Sequence, residues 1–114
     1  TRDLTHANDT ANGIFLASKE PKAVGKAINI AQNREVSVIK MAEMMVDTIS
    51  ELSGKKISKE FIHTKERDGD VKRHLGDISL AKKILGYKPK IKLEDGIKKY
   101  VEWKFEQSNI SAKK

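Results

Sequence analysis

From Val38 to Leu52 the chain holds Val38, Met41, Ala42, Met45, Val46, Ile49 and Leu52 at unbroken i, i+3, i+4, i+7 spacing. That period belongs to a helix with one apolar face, and the face must be covered by something else. Ser37 stands at the N-cap and Gly54 at the C-terminal stop, while Val36 and Met41 occupy the two positions of a hydrophobic staple. Met41, Met44 and Met45 read as core filler. Three further helices are expected. The first runs from Asn8 to about Ser18, capped by Asn8 or Asp9, with Ala7, Ala11, Ile14, Phe15 and Ser18 near one face. The second runs from Leu80 to Leu85, between a cap at Asp77 or Ser79 and a stop at Gly86. The last runs from Leu93 to about Gln107, striped by Leu93, Ile97, Tyr100, Val101 and Phe105, and Trp103 reads as a packing residue. Gly13, inside the first helix, costs about 1 kcal/mol relative to Ala and so points to a close approach there.

Strand signals are short: Lys26–Ala31, Ile57–His63 and a weaker one over Val71–Gly76. Two or three such strands make only a small sheet, so the expected fold is α/β, with helices packed on a short sheet. Such a sheet leaves edges open to another part of a longer protein. No internal repeat or linker divides the chain, so 1–107 reads as one domain and 108–114 as a polar tail.

Composition narrows the function. With 114 residues, 38% hydrophobic and 34% charged, the chain is long and apolar enough for a core and is not a disordered sequence. No apolar run of about eighteen residues is present, so no membrane partner is expected. The absence of cysteine rules out disulfides and thiolate metal sites and is compatible with a reducing, cytoplasmic setting. His6, His63 and His74 lie too far apart for a metal set. The formal charge of +7 is spread from Lys19 to Lys114, and aromatics make up only 5%. A nucleic-acid site would show a clustered basic stripe, so most of this charge reads as a lysine-rich surface. The first residues, Thr1-Arg2-Asp3, carry neither an initiator Met nor a signal pattern, as expected of a fragment or a trimmed product.

The strongest pointer to chemistry is Arg67-Asp68-Gly69-Asp70-Val71-Lys72-Arg73-His74. A guanidinium beside a flexible Asp-Gly-Asp turn with exposed N–H groups suits a phosphate. Lys72 and Arg73 read as steering charge.

These residues fall within an ordered set. Arg2-Asp3-Leu4-Thr5-His6-Ala7-Asn8-Asp9 resembles "RDFTYVDD", Ala27-Ile28-Asn29-Ile30-Ala31 resembles "xYNIG", and Arg67 to Arg73 resembles "RPGDVRR". Asp77 to Lys82 resembles "DISKAK", Leu85 to Pro89 "LGWKP", Leu93 to Ile97 "LEEGL", and Val101-Glu102-Trp103 "VEW". The succession resembles the C-terminal, substrate-binding part of NAD-dependent nucleotide-sugar epimerases and dehydratases, which are extended short-chain dehydrogenase/reductases. The resemblance implies that Arg2 and Arg67 clamp the diphosphate of a nucleotide sugar. It also implies that Asp70 lies near the ribose, that Gly69 lets the backbone approach the ligand, and that His74 lines the sugar side.

Asn8, Ala31-Gln32 and Lys92 depart from the pattern without touching those four residues. The family's GxxGxxG cofactor turn is absent. Its YxxxK pair is matched in letters only by Tyr100 and Lys104, where Tyr100 belongs to an apolar stripe. The chain is therefore expected to hold no catalytic residue and no cofactor or metal site. NAD and the Tyr–Lys base would come from a missing N-terminal Rossmann domain, and the parent enzyme would act as an isomerase or lyase. The family's dimer helices would also lie upstream, which makes a homodimer an expectation for that parent. The alternative is a non-catalytic nucleotide- or partner-binding module derived from the same family.

Overall fold

A computed structural model describes residues 1–111, with side chains through Ser108; Ala112–Lys114, part of the expected tail, lie outside the described residues. The element order is β1 (Arg2–Asp3), α1 (Ala7–Lys19), a 3-10 turn (Pro21–Ala23), β2 (Glu35–Val36), α2 (Val38–Ser53), α3 (Ser79–Leu85) and α4 (Leu93–Ser111). This is an α-rich α/β arrangement with four helices and one two-stranded sheet. The chain divides into two compact units, Thr1–Ser37 with Val71–Leu93, and Val38–Asp70 with Glu94–Lys114.

In the first unit, β1 and β2 pair antiparallel, with Arg2 opposite Val36 and Asp3 opposite Glu35. Its core gathers Ala31, Ile78, Ala81, Leu85 and Tyr87, with Leu16, Ala17, Ile28, Ile30 and Ile84 packed against them. Asp77 Oδ1 accepts from the Ser79 N–H at 2.8 Å and so holds the entry to α3. Gly86 ends the helix in the left-handed region at φ 62°, where the Gly86 and Tyr87 N–H groups donate to the Lys82 and Ala81 carbonyls. That turn drops Tyr87 straight into the core, where its ring is fully buried and its hydroxyl donates to the Ala31 carbonyl at 3.2 Å.

Helix α1 departs from expectation in two ways. Its cap is His6, whose Nδ1 accepts from the Asn8 N–H at 3.1 Å, rather than Asn8 or Asp9. Its buried face is Asp9, Gly13, Leu16 and Ala17, while the stripe of Ala7, Ala11, Ile14, Phe15 and Ser18 is exposed. The reason is the approach foreseen at Gly13: a Cβ there would sit 2.7 Å from Ile30 Cδ1. Only glycine lets the helix settle this close to the 28–31 segment, and the settled face is therefore the one that carries Gly13.

None of the three expected strands forms as such. Residues 26–31 keep the alternation, with Ile28 and Ile30 packed on the core and Ala27 and Asn29 exposed, but they have no ladder neighbour among the described residues. The 57–63 segment is largely exposed, Ile62 at 93%. The 71–76 segment bonds to the backbone of Thr1, just before β1: the His74 N–H donates to the Thr1 carbonyl at 3.2 Å and the Thr1 amine donates to the Lys72 carbonyl at 2.6 Å. A strand is defined by its partner, and local pattern alone does not supply one.

In the second unit, α2 forms where its periodicity requires and Gly54 follows it at φ 67°. Met41, Ala42, Met45, Val46 and Ile49 are half-buried, whereas the two ends of the stripe, Val38 and Leu52, are exposed. Helix α4 buries Ile97 and Val101 and runs past Gln107 to Ser111. Met45 and Ile49 of α2 and Tyr100, Val101 and Phe105 of α4 line an apolar cleft of about 190 Å³. Trp103 is half-exposed rather than packed away, with its ring 5.9 Å from that of Tyr100 and Lys104 Nζ 5.5 Å over it.

Candidate functional site

The four candidate ligand residues fall two to a unit: Arg2 and His74 in the first, Arg67 and Asp70 in the second. Arg67 and Asp70 share one turn. The Asp70 N–H donates to the Arg67 carbonyl at 3.2 Å, and Gly69 holds φ 80° at the third position. A four-residue turn of this kind needs positive φ there, which explains the glycine on backbone grounds alone. The side chains of Arg67 and Asp70 are exposed.

Arg2 is half-buried at the start of β1. Its Nη1 donates to the Val71 carbonyl at 2.6 Å and to the Thr1 carbonyl at 2.8 Å. Val71 directly follows Asp70, so this guanidinium grips the backbone where the turn segment re-enters the first unit. His74 lines a polar cleft of about 470 Å³ together with Asp3, Thr5, Asn29 and Arg73. Hydroxyl, amide, imidazole, guanidinium and carboxylate groups ring this cleft, a set suited to a polyol.

Arg73, read from sequence as steering charge, is instead held in a bidentate pair. Its Nε and Nη2 donate to Glu35 Oε1 and Oε2 at 2.8 and 2.7 Å. The Thr1 hydroxyl donates to the same carboxylate. These hydrogen bonds, the Arg73 pair foremost, bring the Glu35 carboxyl down from 4.5 to about 2. Because the folded value lies below the unfolded one, the contribution is complete above about pH 4.5 and is lost as pH falls toward 2. In Arg73→Met the melting temperature is therefore expected to fall less steeply between pH 5 and pH 2.5 than in the wild type. Parallel slopes for the two proteins in thermal melts would contradict this.

Two carboxylates hold backbone groups far from them in sequence. Asp3 Oδ1 accepts from the Gln32 N–H, and its Oδ2 accepts from the Asn33 and Gly76 N–H groups, all at 3.0 Å. Asp9, only 2% exposed, accepts from the Lys90 and Ile91 N–H groups at 3.0 Å each and from Gln32 Nε2 at 3.5 Å. Asp9 is therefore a buried staple between α1 and the 90–91 segment, and not the exposed helix-start charge its position suggests. The partners of both carboxylates lie 23 to 82 residues away in sequence, out of reach of any local signal.

Among the described residues no cluster of His, Cys, Asp or Glu could hold a metal ion, and no helix is long and apolar enough to cross a membrane. The residues present do not fit a dinucleotide cofactor. The junction from β2 to α2 runs through Ser37 without a glycine, and Gly13 lies inside a helix.

Comparison with known proteins gives this geometry its context. The family model described as GDP-mannose 4,6 dehydratase matches residues 1–100. A UDP-glucuronate 4-epimerase of Thermodesulfobacterium geofontis is 33% identical over 96% of this chain and 32% of its own length. An uncharacterised protein of Methanocaldococcus jannaschii is 32% identical over 95% of the chain and 31% of its own length. A dTDP-glucose 4,6-dehydratase of Escherichia coli is 29% identical, covering 95% and 30%. No solved structure matches. The chain belongs to the nucleotide-sugar epimerase/dehydratase family of extended short-chain dehydrogenase/reductases. It spans about a third of the length of the curated relatives it matches.

Proposed function

We propose that this chain supplies the nucleotide-sugar-binding part of an NAD-dependent epimerase or dehydratase and that it holds the diphosphate of the substrate. The observation that carries this reading is the Arg67–Asp70 turn, which presents an exposed guanidinium and a carboxylate on a glycine-permitted backbone. Arg67 contacts phosphate oxygens, and Arg2 does so from β1. Asp70 accepts from ribose hydroxyls, and His74 faces the sugar with the cleft residues around it. The matched relatives, by their names, act on UDP-glucuronate and dTDP-glucose, both nucleoside-diphosphate sugars.

The redox chemistry belongs elsewhere in this reading. NAD and the proton-transferring Tyr–Lys pair come from a Rossmann domain, which accounts for relatives about three times as long. The extended 26–31 segment supports this partner, because its alternating side chains already face a core while its backbone has no ladder neighbour among the described residues. The assembled protein is cytoplasmic and homodimeric in this account. The second reading, a non-catalytic nucleotide-binding module, shares the same clamp and differs only in having no Rossmann partner.

Calorimetry of the full-length polypeptide against UDP-, dTDP- and GDP-sugars and the corresponding free sugars tests the reading. One nucleotide sugar is expected to bind at micromolar levels and the free sugars not at all. Equal binding of a free sugar and its nucleotide form would overturn it.

A further inference from the structure

We infer that Asp3 is a positioning residue, whose carboxylate fixes the orientation of Arg2 toward a nucleoside diphosphate. The inference rests on the reading above for the role of Arg2. Three backbone N–H groups from two distant segments converge on this one carboxylate, those of Gln32, Asn33 and Gly76, each at 3.0 Å. Hydrogen bonds to an ionised acceptor are about twice as strong as neutral ones, so three of them make a strong polar junction at β1. Arg2 is the adjacent residue, and its guanidinium is aimed by the Val71 and Thr1 carbonyls. His74 is two residues before Gly76, and its own N–H is held by the Thr1 carbonyl. Asp3 thus clasps the strand that carries Arg2 to the segment that carries His74.

Gly76 records how close that clasp is. A Cβ at this position would lie 2.5 Å from Ala31 Cβ and 3.5 Å from Asp3 Oδ2. Any side chain there pushes the segment outward and stretches the Gly76 N–H away from the carboxylate. The glycine therefore serves close packing, and its conformation is not the reason for it: it is absent from the positive-φ glycines.

The experiment is a double-mutant cycle on the full-length polypeptide, with UDP, dTDP and GDP as the titrated probes and calorimetry as the readout. Asp3→Asn keeps the size and one carbonyl acceptor but loses the charge. It is expected to weaken the best-binding diphosphate about tenfold, and Arg2→Ala by a similar factor. The double variant is expected to be little weaker than Arg2→Ala alone, because Asp3 acts through Arg2. Multiplied losses, or an Asp3→Asn affinity equal to wild type, overturn the inference and leave the clamp standing. Unchanged affinity in Arg2→Ala removes Arg2 from the clamp and the inference with it, and leaves the role of Arg67 to its own test. If Asp3→Asn does not fold, Gly76→Ala replaces it in the cycle, with the same coupling expected and the same additive result counting against the inference.

Discussion

Asp9→Ala is expected to destabilise the protein by about 3 kcal/mol, measured as a lowered urea midpoint at unchanged m-value. Asp9 is the only charged residue counted as buried among the described residues, at 2% exposure, and each of its oxygens takes a backbone N–H at 3.0 Å. Alanine removes both acceptors and leaves the Lys90 and Ile91 N–H groups without the carboxylate that holds them. Each such orphaned donor costs on the order of 1–3 kcal/mol. Asp9→Asn is the discriminating control. It retains one acceptor of the right shape and places an NH₂ group against the other N–H, so about half the loss is expected. Asp9→Ala with a wild-type midpoint would mean that the 90–91 segment is held by its covalent neighbours, and the staple would be discarded.

Tyr87→Ala is expected to cost about 4 kcal/mol, in the range found for emptying a buried aromatic site. The ring is fully buried within the cluster of Ala31, Ile78, Ala81 and Leu85. The left-handed Gly86 fixes its backbone, so the cavity has little means of collapsing. Tyr87→Phe keeps the packing and loses only the 3.2 Å bond to the Ala31 carbonyl, for which about 1 kcal/mol is expected. Burial, with Asp9 and Asp3 nearby, pushes the Tyr87 hydroxyl above its ordinary value of 10.0, so it stays a neutral donor through the physiological range. Denaturation curves for the two variants separate packing from hydrogen bonding. Equal losses would place the whole effect in the hydroxyl and contradict the cavity argument.

These two residues also show what could be read in the sequence. Helices were legible because their signals are local: the Val38–Leu52 periodicity, the Gly54 and Gly86 stops and the Asp77 entry all lie within a turn of what they control. Strands were not. The pattern at 26–31 produces an extended segment with Ile28 and Ile30 inward, but the two strands that do pair, Arg2–Asp3 and Glu35–Val36, are two residues each and too short for any periodicity. The inner face of α1 was misjudged for a related reason. Hydrophobicity favoured Ile14 and Phe15, but a glycine and a carboxylate decided the matter through Ile30 and the 90–91 backbone. The turn at Arg67–Asp70 was legible because its four residues are contiguous. The pairing of Arg73 with Glu35 was not, since 38 residues separate them.

The central claim is that the Arg67 guanidinium holds a diphosphate. Its most direct test is calorimetric titration of wild type and Arg67→Ala, in the full-length polypeptide, with the nucleotide sugar that binds best. The exposed position of Arg67 makes misfolding of the variant a minor concern, and a thermal melt checks it. The account predicts a loss of about tenfold or more in affinity, with weaker discrimination between nucleoside diphosphate and monophosphate. Unchanged affinity in Arg67→Ala would contradict it.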